Sequence, residues 1–405
     1  MGGKVLPEAS HPAPPAPIDL GRVEDGAVRF ENWRGDADRP EPSPPAPLPP
    51  ERRVGFALVG LGRLTLGQIL PAFSQCKKAR PVALVSGTPD KARAVAAQYG
   101  IPDRSVFSYG EIGRLADESA VSAVYIVTPN ALHRDHVVAA AKAGKHVLCE
   151  KPMANTSAEA REMVAACDAA GVKLMIAYRC QYEKYNREAI RLVRSGELGR
   201  VSLIEATNTQ VQGSPEQWRM KSGLAGGGAL PDIGLYCLNG ARAMLGEEPV
   251  EVFARAWSPA GDPRYAEVEE TIAFMLRFPS GAMANCAAGY GAHESKDLRL
   301  RLERGWIELA DAFAYQGQRL RIAHRDGTRE SLDEKKLGMA NQFTLEIDHF
   351  AECILHDRRP RTPGEEGVQD HMVMEAIYRS AREGGPVALD PVTGLDAFRG
   401  PALED

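Results

Sequence analysis

The chain has 405 residues, 44% of them apolar and 25% charged, with a formal net charge of −5. That length exceeds what one ordinary core serves and predicts two domains, and the composition is that of a globular protein. Scattered lysine and arginine on a mildly acidic chain argue against a nucleic-acid partner, and no apolar run approaches the roughly 18 residues that would predict a membrane partner.

Residues 1–52 stand apart, holding 12 of the 29 prolines, with Pro40-Glu-Pro-Ser-Pro-Pro-Ala-Pro-Leu-Pro-Pro50 the densest run. Proline at this spacing forbids helix and favours an extended, proline-rich N-terminal arm. One reading is a disordered tail. Ile18, Leu20, Val28, Phe30 and Trp33 favour the other, an arm laid across its own or a neighbouring subunit, because proline lowers the entropy lost on docking. Residues 1–8 lack the apolar stretch of a signal peptide, which predicts a cytoplasmic location, or a periplasmic one if an export signal has been removed. Seven cysteines, without a Cys-x-x-Cys pair, predict small core residues in a reduced compartment rather than a disulfide frame or a metal site.

From Arg53 onward strands and helices alternate. Residues 54–60 read as a buried strand, followed by a glycine turn and a helix over 67–76. Further strands are predicted at 80–86, 121–127, 146–149 and 172–177, with helices over 90–99, 133–143 and 157–170. Continuous apolar strands separated by helices of about 10–15 residues predict a parallel sheet covered on both faces, a dinucleotide-binding Rossmann domain over 53–177. After Ala177 the rhythm changes. A helix over 184–195 precedes alternating stretches at 201–209, 250–257, 269–278, 281–290, 297–302 and 305–309, and closing helices are predicted over 342–356 and 370–381. This predicts a large, open, mostly antiparallel sheet in a substrate-binding and oligomerisation α/β domain over 178–405.

The first strand ends in Gly60-Leu-Gly62, followed by Arg63-Leu-Thr-Leu-Gly67, a GxGxxxxG spacing rather than GxGxxG. Two glycines alone are weak; a buried strand before and a helix after make them a place where backbone N–H groups approach a pyrophosphate. At the end of the second strand, where an acidic residue would bind the ribose of NAD, the chain reads Ser86-Gly-Thr-Pro-Asp-Lys91-Ala-Arg93. A hydroxyl with cations nearby attracts a 2′-phosphate that a carboxylate would repel, so NADP is the expected cofactor. The other reading makes Lys91 and Arg93 the wet face of a helix.

Gly60-Leu-Gly62, Thr128-Pro-Asn-Ala-Leu-His133, Ala143-Gly-Lys-His-Val-Leu-Cys-Glu-Lys-Pro152 and Gly226-Gly-Gly-Ala-Leu-Pro-Asp-Ile-Gly-Leu-Tyr236 together resemble the Gfo/Idh/MocA oxidoreductase family. Within it, Leu174-Met-Ile-Ala-Tyr-Arg-Cys180, Gln217-Trp-Arg219 and the arm are most similar to the glucose–fructose and aldose–aldose oxidoreductase group. The resemblance implies monosaccharide partners and an open sheet that packs subunits into a homo-dimer or homo-tetramer. In that group NADP is tightly bound and stays through a ping-pong cycle. An aldose is oxidised at C1 to a lactone, a second sugar carbonyl takes the hydride, and the arm wraps over the cofactor, often a neighbour's. Carried over by motif, Ser86 and Lys91 would hold the 2′-phosphate, and Gly62, Arg63 and Leu64 the diphosphate. Tyr109, Pro129, Asn130, His133, Glu150, Arg179, Trp218, Arg219 and Tyr290 would also surround the cofactor.

Oxidising a cyclic hemiacetal needs a hydride acceptor over C1 and a base for the hydroxyl proton. Tyrosine, with a reference pKa of about 10, needs a neighbouring cation to serve near neutrality. Lys151 can supply that charge and orient the hydroxyl. Tyr236 is the candidate acid/base, where most family members carry histidine. Asp232, one turn earlier if the segment is helical, can hold the sugar or orient Lys151. A lone tyrosine usually packs; its place in Asp232-Ile-Gly-Leu-Tyr236, shortly after a triple glycine, favours chemistry. Gln181, where the nearest relatives tend to carry histidine, is expected near the substrate. Two other functions stay open: an ordinary NAD(P)-dependent sugar or cyclitol dehydrogenase with exchangeable cofactor, and a non-catalytic sensor. An intact Lys151, Asp232 and Tyr236 set argues against the sensor.

Overall fold

The computed structural model describes residues 47–392 and, before them, two short strands, β1 (Arg22–Glu24) and β2 (Ala27–Arg29). These two pair antiparallel, with Arg22 opposite Arg29. The rest of the arm as far as residue 46, and with it the expected wrapping over cofactor or neighbour, lies outside the described residues.

Six parallel strands form the first sheet: β3 (Val54–Val59), β4 (Ala79–Val85), β5 (Val106–Phe107), β6 (Ala123–Ile126), β7 (His146–Glu150) and β8 (Leu174–Ala177). Their order is β5-β4-β3-β6-β7-β8, which reverses between β3 and β6 and so opens a crevice at the carboxyl ends of the strands. All of β3 is buried, as its unbroken apolar run predicts for a strand covered on both faces. Alternate side chains feed two cores. Ala57 and Val59 share one with Val137 and Ala140 of α3 (His133–Lys142) and Met163 of α4 (Ser157–Ala169). Phe56 and Leu58 share the other with α1 (Leu70–Phe73), α2 (Pro89–Tyr99) and α8 (Gln342–Leu355). Phe56 meets Phe73 and Phe350 edge-on, at 5.5 and 6.3 Å between ring centres. A helix from beyond the second sheet thus closes the first.

The helix expected from Gly67 begins earlier, at Arg63, and passes through a π-turn at Thr65–Ile69, where Leu70 N–H donates to the Thr65 carbonyl. Pro71 accounts for the wide turn: it has no N–H for the Gly67 carbonyl, and its ring would crowd that oxygen in a regular helix.

The second sheet has nine strands: β9 (Val201–Thr209), β10 (Glu251–Trp257), β11 (Thr271–Arg277), β12 (Met283–Gly289), β13 (Ser295–Leu302), β14 (Gly305–Ala310), β15 (Arg319–Asp326), β16 (Arg329–Lys335) and β17 (Val387–Ala388). Its order is β16-β15-β14-β13-β9-β12-β11-β10-β17, and only the β9–β12 pair is parallel. The large, mostly antiparallel sheet read from alternation is therefore present. One face packs on α5 (Lys184–Arg194), α7 (Leu235–Leu245) and α9 (Gly364–Glu383). Helix α7, which carries the site below, is tied to α9 by a sealed ionic cluster. Arg242, fully buried, makes two 2.7 Å bonds to Glu248 and also pairs with Glu366 and Asp370 of α9.

Among the described residues no helix is long and apolar enough to cross a membrane, and no group of three or more histidine, cysteine, aspartate or glutamate side chains could hold a metal ion. The seven cysteines are free, and all but Cys180 are buried.

Candidate active site

The carboxyl ends of the first sheet gather most of the residues singled out by sequence. Gly60 follows β3 with φ of 96°, and a Cβ there would stand 2.6 Å from the Val127 carbonyl oxygen, so only glycine lets this turn pass between neighbouring strands. Beyond it, Gly62 faces open space, Arg63 is exposed and Leu64 half-buried, at the start of a helix whose first N–H groups favour an anion. Ser86, buried at the end of β4, accepts from the Thr88 N–H at 3.2 Å. Lys91 and Arg93 are exposed on α2, and Arg93 pairs with Asp90 at 3.1 Å. Tyr109 stacks on His136 with 5.1 Å between ring centres and lies against Gly87.

The Thr128-Pro129-Asn130 turn follows β6, with Pro129 half-buried. Asn130 donates to the Ala225 carbonyl at 2.8 Å, joining this turn to the short helix α6 (Ser222–Ala225) before the triple glycine. His133 is buried with its two ring nitrogens against the carbonyls of Thr128 (2.8 Å) and Pro152 (3.0 Å). It pins the β6 turn to the β7 turn, and burial holds its imidazole below the usual range.

Lys151 stands just after β7, before a cis bond to Pro152. Its ammonium donates to the Asp232 carbonyl at 2.6 Å, and lies 3.7 Å from the Asp232 carboxylate and 4.4 Å from the centre of the Tyr236 ring. The Asp232 carboxylate accepts from the Tyr290 hydroxyl at 2.8 Å and from Arg219 Nε at 3.0 Å, and Arg219 stacks on Trp218 at 4.5 Å. Sequence therefore named a set that the fold does bring together: Lys151, Asp232, Tyr236, Trp218, Arg219 and Tyr290.

Local structure explains how. A second π-turn, Leu230–Gly234, holds Pro231 and leads into α7, with Leu235 N–H donating to the Leu230 carbonyl. Asp232 sits in the wide turn and Tyr236 in the regular turn after it, so both reach Lys151. The triple glycine is needed for contact. A Cβ at Gly227 would lie 1.9 Å from the Tyr378 hydroxyl and one at Gly228 2.1 Å from the Glu269 carbonyl oxygen. The Glu269 carboxylate in turn accepts from the Gly228 and Leu230 N–H groups at 2.9 and 2.8 Å.

Burial pulls the Lys151 ammonium below its usual value, against the pull of Asp232 and Glu150. At Asp232 burial works the other way, but Arg219 and Lys151 outweigh it and hold the carboxyl below the ordinary range. Burial pushes the Tyr236 phenol up, and Arg179 is the strongest opposing influence. Burial also raises Glu150, which accepts from the Tyr125 hydroxyl at 2.8 Å.

Two placements differ from the sequence reading or add to it. Gln181, expected near the substrate, turns toward the sealed cluster, where its amide donates to Asn239 at 2.8 Å; its position behind the Tyr236 ring follows from the tight turn that opens after β8. Between them lies a cavity of about 20 Å³, lined also by Lys151 and Phe313 and large enough for one water. Tyr315, half-exposed in the connection between β14 and β15, is a site residue that sequence did not single out. No motif marks it.

Residues 54–178 match the oxidoreductase family with an NAD-binding Rossmann fold, and residues 186–308 match the Gfo/Idh/MocA C-terminal domain. The chain belongs to the Gfo/Idh/MocA oxidoreductase family. It is 34% identical over 343 residues to a D-xylose 1-dehydrogenase [NADP(+)] of Haloarcula marismortui, covering 83% of this chain and 93% of that one. To the scyllo-inositol 2-dehydrogenase (NAD(+)) of Bacillus subtilis it is 25% identical over 345 residues, 84% of this chain and 97% of that one. Among solved structures it is similar to the aldose–aldose oxidoreductase of Caulobacter crescentus, with TM-score 0.81, 47% identity, and coverage of 84% of this chain and 100% of that one.

Proposed function

We propose that the protein is an NAD(P)-dependent oxidoreductase of sugars or cyclitols that prefers NADP and exchanges it with solution. The observation that carries this reading is the meeting of Lys151, Asp232 and Tyr236 at the carboxyl edge of the first sheet. Likeness to the xylose and inositol dehydrogenases supports the substrate class. Ser86, where a carboxylate would repel a 2′-phosphate, supports NADP.

The residues fit such a cofactor, since the open face of Gly62 leaves room for a diphosphate that a side chain there would fill. Gly62, Arg63 and Leu64 would hold the diphosphate, Ser86 and Lys91 the 2′-phosphate. When bound, the nicotinamide supplies the acceptor for the substrate hydride. Tyr236 takes the proton of the sugar hydroxyl being oxidised and returns it in reduction. Lys151 holds that hydroxyl and stabilises the oxyanion as the proton leaves. Asp232, kept ionised by its two cations, keeps the Lys151 ammonium charged and aimed. Residues 53–177 form the nucleotide half and residues 178–405 the substrate half. The outer face of the second sheet, with Trp257 and Met283 exposed at 61% and 42%, suits association into a homo-dimer or homo-tetramer.

A second reading is favoured by the 47% identity to an aldose–aldose oxidoreductase and by tyrosine at position 236. In it NADP stays bound while an aldose is oxidised at C1 to a lactone and a second sugar carbonyl is reduced. One experiment separates the two: dialysed protein is incubated with pairs of aldoses and ketoses, with and without added NADP. Turnover only with added nucleotide fits the first reading. Lactone and reduced sugar formed without it fit the second. No oxidation of any aldose or cyclitol with either nucleotide overturns both.

A further inference from the structure

We propose that Arg179 is a positioning residue for proton transfer: its guanidinium, clamped between the rings of Tyr236 and Tyr315, orients the Tyr236 phenol and supplies a fixed positive charge beside it. This rests on the acid/base reading of Tyr236, and it gives Arg179 a task other than the cofactor contact expected from resemblance.

The clamp is built from three directions. Arg179 opens the short helical turn Arg179–Gln181 after β8 and is only 6% exposed. Its Nη1 donates to Gln342 Oε1 at 2.6 Å and to the Ala314 carbonyl at 3.2 Å, and its Nη2 to the Phe313 carbonyl at 2.7 Å. The plane so fixed lies 4.8 Å from the centre of the Tyr236 ring and 4.6 Å from that of Tyr315. With its donors committed to α8 and to the 313–314 segment, the guanidinium has no swing left to follow a phosphate.

The charge balance is the second half of the argument. Three of the four hydrogen-bond acceptors of Arg179 are neutral amide oxygens, and the fourth is the sulfur of Cys180 at 3.5 Å, a thiol that burial pushes up. Glu346, on the adjoining α8, is fully buried with neither oxygen hydrogen-bonded, and burial holds its carboxyl well above the ordinary range, which favours its neutral form. Burial raises Glu150 as well. A buried cation with neutral acceptors draws its stabilisation from aromatic faces and from any anion that forms next to them. The groups that bear on Tyr236 are Lys151, Arg179, Cys180, Glu150 and Tyr315. Of these, Arg179 is the strongest influence in favour of the phenolate. A lysine cannot replace it, because an ammonium neither stacks flat between two rings nor reaches three acceptors in one plane.

The test uses the full-length protein and the variants Arg179→Lys, Arg179→Met and Tyr315→Leu, the last removing one wall of the clamp but no charge. In the unmodified protein the rate of sugar oxidation rises with pH as Tyr236 loses its proton. In both Arg179 variants that rise should move to higher pH, giving about a tenfold lower rate at a fixed pH on the limb, with the deficit shrinking as pH increases. The dissociation constant for NADP, from fluorescence titration, should stay within about twofold. Tyr315→Leu should move the limb in the same direction by less. An unmoved limb with weakened NADP binding makes Arg179 a nucleotide ligand and overturns the proposal. An unmoved limb with a uniform loss of rate makes it a packing residue and overturns it equally. Ultraviolet titration of tyrosinate, read as the difference from Tyr236→Phe, follows the phenol without turnover and serves where Arg179→Met fails to fold. Should Tyr236→Phe keep the pH limb, the acid/base reading falls, and the titration still decides whether Arg179 sets the phenol.

Discussion

Helix α7 and the turn before it carry an ionic cluster at each end, and the two are built oppositely. At the front, one carboxylate, Asp232, meets two cations, Lys151 and Arg219, with side-chain exposures of 16%, 10% and 35%. At the back, one cation, Arg242, meets three carboxylates, with no side chain of the four more than 2% exposed. Excess positive charge with a path to solvent keeps Asp232 ionised and leaves an ammonium available to a substrate oxygen. Sealing from solvent works the other way on the back carboxylates, and burial raises Asp370. Both clusters are perturbed, so perturbation alone does not mark a site. Stoichiometry and access do: the front cluster is arranged for chemistry, the back one to fix the helix that presents it.

The contrast can be broken, beginning with the largest effect. Tyr236→Phe removes one oxygen, and kcat/KM for sugar oxidation should fall by about 10²–10⁴ while NADP affinity and thermal midpoint stay put. Loss of less than about tenfold would remove the front cluster from chemistry. Arg242→Met takes a buried guanidinium away from Glu248, Glu366 and Asp370 and should cost about 3–5 kcal/mol in urea denaturation, with near-normal turnover per folded molecule. Lost turnover at full stability would make the back cluster functional after all.

Asp232→Asn sharpens the front cluster. It keeps the shape but withdraws the charge that most favours the Lys151 ammonium against burial. Lys151 should then deprotonate at lower pH, so the high-pH fall in kcat/KM should begin earlier and the neutral rate should drop about tenfold. A pH profile unchanged in shape would separate Asp232 from Lys151. The smallest effect is expected from Ser86→Asp, which lies outside both clusters. The ratio of kcat/KM for NADP over NAD should fall about tenfold, and a constant ratio would move 2′-phosphate recognition elsewhere.

Legibility followed burial. The first sheet, apart from the two-residue β5, was readable because its strands carry apolar runs, and Lys151, Asp232 and Tyr236 because they sit at strand ends or beside glycines forced by close packing. Strands β15 and β16 were not. Arg319-Leu-Arg-Ile-Ala-His-Arg-Asp326 and Arg329-Glu-Ser-Leu-Asp-Glu-Lys335 carry charge too densely for alternation to show, as suits the edge of a sheet. The early helix start at Arg63 was hidden because the remedy for Pro71 is a π-turn, which has no composition of its own. Tyr315 was hidden for another reason: its role comes from stacking on an arginine 136 positions earlier, and nothing local encodes that meeting.

Helix α8 has a consequence for how this molecule comes into being. The lid over Phe56 and Leu58 is synthesised some 290 residues after them. A nascent or truncated chain ending near residue 340 would leave that apolar layer bare to water, a surface prone to aggregation. The nucleotide half is therefore no detachable module, and excising it as a stand-alone fragment should yield insoluble protein unless the missing helix is supplied.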